Sequence, residues 1–129
     1  MNKIKTDKAP QAIGAYSQGV AADEFVFTSG QIGINPETGE LAMENFEAEV
    51  LQVLKNVQSV LEAGGSDINN AVKLSVLITD LSNFKLVNNV FIDFFNGDYP
   101  ARSVVEVSAL PLNANIEIEA IGKKLWNIS

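Results

Sequence analysis

The chain has 129 residues, enough to bury roughly two thirds of the surface its unfolded form exposes, and reads as one domain over residues 1–129. Hydrophobic residues make up 47% and charged residues 19%, a balance that favours a folded core over disorder. The net charge of −7 disfavours nucleic acid as a partner, and the absence of Cys and His excludes disulfides, thiolate nucleophiles, imidazole bases and zinc sites built on sulfur or nitrogen. A small anion held by one local cation remains compatible with that charge, because nearby groups set the field in a pocket.

The opening "MNKIKTDKAP" carries three lysines but no apolar segment behind them, so no secretory signal is expected. No apolar run approaches the length of a membrane span, and the expected compartment is the cytoplasm, with no membrane partner. Residues 24–34, "EFVFTSGQIGI", are β-branched and aromatic with a central glycine, and "NPETGE" follows with turn residues. This predicts a strand, a turn and a short second strand. From Glu44 the period changes to that of a helix: Phe46, Val50, Val53, Leu54, Val57, Val60 and Leu61 form one apolar stripe, closed by Gly64-Gly65. Residues 70–80, "NAVKLSVLITD", alternate as a strand with both faces partly buried. Asp80 and Ser82 are placed to cap a second helix striped by Leu81, Phe84, Val87, Phe91, Phe94 and Phe95, before "NGDYP" breaks it. Strands are predicted at about 102–109 and 115–124, joined as a hairpin through "LPLNA". The order implies an α+β fold with two helices on one face of a mixed sheet. Its other face keeps apolar residues that two helices cannot cover, and self-association is the simplest cover.

Arg102 is the sole arginine, set just after Pro100 at the mouth of a valine-rich strand. It suits either a solvated or ion-paired surface position or a clamp for a carboxylate, which its planar fork matches with two parallel hydrogen bonds. Alternation puts Arg102 on one strand face with Val104 and Glu106. Glu117 and Glu119 share a face of the last strand, where they are either solvated edge charges or, if an interface covers them, carboxylates able to handle a proton. With the predicted hairpin, residue 102 lies opposite about residue 122, and Glu117 is then roughly 16 Å away along the ladder. The two could share a small substrate only if different chains supplied them. Weaker candidates are Tyr16 as a phenolic donor, Ser29 and Gly30 as a hydroxyl beside bare backbone, and Asn88 next to the second helical stripe. Each also has a purely structural reading: packing, a bulge and a buried amide.

The stretches "IGAYSQ", "TSGQIG", "NPETGEL", "NVQSVLEAGG", "NNAVKLSVLITD", "FKLVNNVFIDFF", "YPARSVVEV" and "IEIEAIG", in that order, resemble the Rid family of reactive-intermediate deaminases over essentially the whole chain. The resemblance implies a chorismate-mutase-like fold, a homotrimer with sites between subunits, and no metal or cofactor. It implies hydrolysis of enamine/imine intermediates such as 2-aminoacrylate and 2-aminocrotonate to 2-keto acids and ammonia. In that pattern Arg102 matches the carboxylate clamp and Glu117 the residue that orients or activates water. Tyr16, Ser29, Gly30, Asn88 and the backbone of Val104 match positions around the ligand. The chain departs from the family at Val104, where many relatives carry Cys, at Ala15 in place of Pro and at Glu49 in place of Gln, and its connection before Pro100 is shorter than in some relatives. Two other readings stay open: a trimer that binds 2-keto acids without turnover, and an endoribonuclease or translation inhibitor. The charge and the missing histidine suit the last of these poorly.

Overall fold

The computed structural model describes residues 1–126. Its elements are β1 (Asn2–Ile4), β2 (Gly19–Ala22), β3 (Phe25–Thr28), α1 (Phe46–Ala63), β4 (Ala71–Ile78), α2 (Phe84–Phe95), β5 (Ala101–Glu106) and β6 (Ile116–Lys123). The strands form one mixed sheet in the order β1-β2-β3-β6-β4-β5, antiparallel except for the parallel β4–β5 pair.

Both helices form where the apolar period predicts them. The Asn45 side chain caps α1 by accepting from the Ala48 N–H at 2.7 Å, and Gly65 ends the turn beyond it with φ +94°, which a side chain would strain. Val50, Val53, Leu54, Val57, Val60 and Leu61 all face inward. The α2 helix buries Val87, Phe91 and Phe95 and ends on Asn96 in the left-handed region. Asp80 caps only the short turn over residues 81–83, so the cap predicted for α2 serves the turn that leads into it. Against these helices pack Leu74, Val76 and Ile78 of β4 and Ile116, Ile118 and Ala120 of β6. These are alternate residues of neighbouring strands, as the two-residue period of a sheet requires.

Three expectations are corrected. Residues 102–109 and 115–124 do not form a hairpin: β5 returns through α2 to lie parallel to β4, and β6 lies on the other side of β4. Arg102 is therefore level with Leu74 and, one strand further, with Ala120 rather than residue 122. Secondly, the short strand expected after "NPETGE" is a single bridge between Ile34 and Leu41, whereas β1 and β2 add two strands that weak apolar patterning hid. Finally, a register shift between Ala71 and Lys73 breaks the alternation of β4 and leaves Val72 46% exposed.

The sheet face turned away from the helices carries Phe25 and Phe27 of β3, Lys73, Ser75 and Leu77 of β4, Glu117, Glu119 and Ile121 of β6 and Val105 of β5. Phe27 is 42% and Val105 48% exposed there. No helix among the described residues is long and apolar enough to cross a membrane.

Candidate active site

Glu117 reaches into a cavity of about 410 Å³ lined by Pro10, Ile13, Tyr16, Ser29, Gly30, Ile32, Pro111 and Glu119, among others. A bulge shapes it. Phe27 pairs with Ile121, but the next pairing is Gln31 with Ile118, so the β3 side holds one residue more than β6. The Thr28 hydroxyl accepts from the Ala120 N–H at 3.0 Å across this gap, and Ser29-Gly30 swing out beside Glu117. Glycine is required at the contact: a Cβ on Gly30 would lie 2.6 Å from Glu117 Oε2. Ser29 Oγ donates to the Ser17 carbonyl at 2.6 Å, which leaves its lone pairs for an incoming donor. The Tyr16 hydroxyl accepts from the Ile13 N–H at 3.4 Å, keeping its own proton to donate. Partial burial raises the Glu117 pKa above the ordinary carboxylate value, and the like charge of Glu119 adds to the shift.

Arg102 lies elsewhere. With Asn88, Phe91, Ile92, Tyr99 and Pro100 it lines a second cavity of about 520 Å³ between α2 and β5. Its guanidinium carbon sits 4.9 Å from the ring centre of Phe91 and 5.4 Å from that of Phe84, so two aromatic faces support it. Desolvation lowers its pKa, yet a guanidinium stays charged near neutrality. Val104, two residues on, packs its side chain against the core and lines neither cavity. Its strand, β5, lies at the edge of the sheet.

The predicted residues thus fall into two groups. Tyr16, Ser29, Gly30 and Glu117 come together, and so do Asn88 and Arg102. The groups are separated by two strand spacings and three residues of rise, roughly 14 Å, and they face opposite sides of the sheet. Leu74, beside Arg102, points to the helices, whereas Leu77, beside Glu117, points away. The separation expected from the hairpin survives, but for a different reason. Glu117 also proves to lie on an interior strand, so its reading as an edge charge loses its basis.

Residues 6–123 match the family model described as endoribonuclease L-PSP. This chain belongs to that family, the Rid family of the sequence resemblance. It is 47% identical over 118 residues to "Reactive Intermediate Deaminase A, chloroplastic" of Arabidopsis thaliana, an alignment covering 92% of this chain and 63% of that protein. It is equally 47% identical over 118 residues to the 2-iminobutanoate/2-iminopropanoate deaminase of Rattus norvegicus, covering 92% and 86%. Among solved structures it superposes on Escherichia coli TdcF with bound serine at a TM-score of 0.91 and 40% identity, over 96% of this chain and 99% of that one.

Two residues of this Rid chain that shape the Glu117 cavity were not singled out from the sequence. The Gln18 amide, buried, accepts from the Thr6 N–H at 2.7 Å and donates to the carbonyls of Thr6, Ala9 and Pro10 at 3.0, 3.3 and 2.7 Å, fixing the loop that supplies Pro10. Asn56 of α1 donates to the carbonyls of Ile32 at 3.1 Å and Ile34 at 2.8 Å, holding the opposite wall. A lone amide in an apolar helical stripe was the only signal for Asn56, and Gln18 lay inside a recognised motif without a visible partner.

Proposed function

We propose that this protein hydrolyses reactive enamine/imine intermediates bearing a carboxylate, such as 2-aminoacrylate and 2-aminocrotonate, to 2-keto acids and ammonia, as a homotrimer with sites between subunits. The observation that carries the reading is the division of the candidate residues into an arginine cradle and a carboxylate cavity on opposite faces of one sheet. Each half holds chemistry for one end of a small imino acid, and neither holds both. The names of the Arabidopsis and rat relatives support the reaction, and the serine bound to the E. coli neighbour supports a ligand with an α-carboxylate. The partly uncovered apolar sheet face supports association.

In this reading Arg102 of one subunit takes the carboxylate as a planar fork, with Asn88 beside it. The imine carbon then faces a water next to Glu117 of a neighbouring subunit. Glu117 accepts a proton from that water as its oxygen adds to the carbon and returns it to the nitrogen, which gives a neutral carbinolamine. The carbinolamine hydroxyl then gives up its proton, relayed by Glu117 to the nitrogen, and the C–N bond breaks to release ammonia as the carbonyl forms. A carboxylate with a raised pKa suits both halves of this exchange. Water already attacks such imines, so positioning plus about 10²- to 10⁴-fold of acid–base assistance meets the demand.

The test couples the purified protein to a threonine dehydratase and follows semicarbazone formation from the transient imine. The wild type is expected to suppress the semicarbazone, and Arg102→Ala is expected to lose that effect. Equal suppression by both removes the clamp assignment. No suppression by either removes the deaminase reading.

A further inference from the structure

Glu49 occupies the first turn of α1, between apolar residues, and is 1% exposed. A buried carboxylate is tolerated only when its oxygens find donors, and here one residue supplies both. Oε2 accepts from the Asn115 backbone N–H at 2.8 Å, and Oε1 accepts from the Asn115 side-chain amide at 2.8 Å. The Asn115 carbonyl in turn accepts from the Thr79 N–H at 3.2 Å. Asn115 is the residue before β6, and Glu117 is two positions further on. The positive end of the α1 dipole favours the Glu49 charge where it sits.

The same helix face continues the clamp. Gln52 donates to Asn56 Oδ1 at 2.9 Å, and Asn56 holds the Ile32 and Ile34 carbonyls. Between those two residues Gly33 lies against Glu49 itself: a Cβ there would be 3.0 Å from Glu49 Cγ and 3.1 Å from its carbonyl oxygen. One polar stripe, Glu49, Gln52 and Asn56, therefore grips both walls of the Glu117 cavity, the segment after Gly30 and the start of β6.

We infer that Glu49 is a positioning residue for Glu117. Through Asn115 it sets how far β6 presents the Glu117 carboxylate against Gly30, and so how well that carboxylate meets the water and the imine carbon. This rests on the deaminase reading above. The recognition is specific in its donors and acceptors. Leucine at position 49 leaves both Asn115 donors unpaired. Glutamine is accommodated if the Asn115 amide turns to offer its oxygen.

The test compares Glu49→Leu, Glu49→Gln, Asn115→Asp and the double variant Glu49→Gln/Asn115→Asp. Initial rates of 2-keto acid formation are measured over a range of imine concentrations. Glu49→Leu and Asn115→Asp are each expected to lose about 10- to 100-fold in kcat with KM within about twofold, because the Arg102 cradle is untouched. Glu49→Gln and the double variant, which restores a donor–acceptor match, are expected within about threefold of wild type. A second readout does not depend on turnover. Carbon-13 NMR titration of the Glu117 carboxyl, with Glu119 and Tyr16 still facing it, is expected to show its pKa displaced from the wild-type value in Asn115→Asp and returning in the double variant. Wild-type kcat in Asn115→Asp, or no recovery in the double variant, overturns the inference. If Glu49→Leu does not fold, the cycle between Asn115→Asp and the double variant decides alone. Inactivity of the wild type would strike the deaminase reading instead, and the NMR titration would still decide whether Glu49 positions Glu117.

Discussion

Glu117 and Gly30 show what one atom decides at this site. Because burial and Glu119 raise the Glu117 pKa, its ionisation is complete only at a higher pH than that of an ordinary carboxylate. A rate that needs the ionised base falls as pH drops through that raised value. Glu119→Gln removes the like charge, so the acid-side fall in kcat is expected to move to lower pH; an unmoved or opposite profile would dissociate Glu119 from the base. At Gly30 an added methyl meets the end of a flexible side chain, which can swing away at little cost in stability. Gly30→Ala is expected to keep its melting temperature within a few degrees and lose about 10²-fold in turnover, a split that calorimetry and the semicarbazone assay check together. Arg102 was legible because it is the sole arginine, but its seat on Phe84 and Phe91 was not. Those rings were read only as core stripe, since periodicity reports which face is apolar and not what lies across it.

Among the elements, α1, α2 and β4 were legible because their order is local: caps, stripes and stops lie within a few residues. The pairing of β5 was not. Its short link to β6 looks like a hairpin connection, yet β5 takes its place from the β4–α2–β5 crossover, a long-range choice that no short window contains. The bulge at Ser29-Gly30 was readable as one of two meanings of a glycine in a strand, and the structure gives it both, a bulge and a close approach to Glu117. The helices serve chiefly to hold the sheet. Leu54, fully buried under it, is expected to cost about 2–5 kcal/mol as Leu54→Ala, read by urea denaturation, with turnover per folded molecule unchanged. A matching loss of turnover at temperatures where the variant is fully folded would mean that the core also tunes the site.

For the whole molecule, the sequence indicated an uncovered sheet face, and the exposed Phe27 and Val105 lie there. The number of copies came only from the family resemblance, because composition and period carry no symmetry. The opposed placement of Arg102 and Glu117 makes a site shared between chains the central claim, and mixing two defective variants tests it most directly. Arg102→Ala and Glu117→Gln are each expected to be nearly inactive alone. Co-refolded in equal amounts into mixed trimers, they are expected to regain about one quarter of wild-type activity, since one ordered subunit contact in four joins an intact arginine to an intact glutamate. Mixed trimers that remain as inactive as the parents would contradict the shared site.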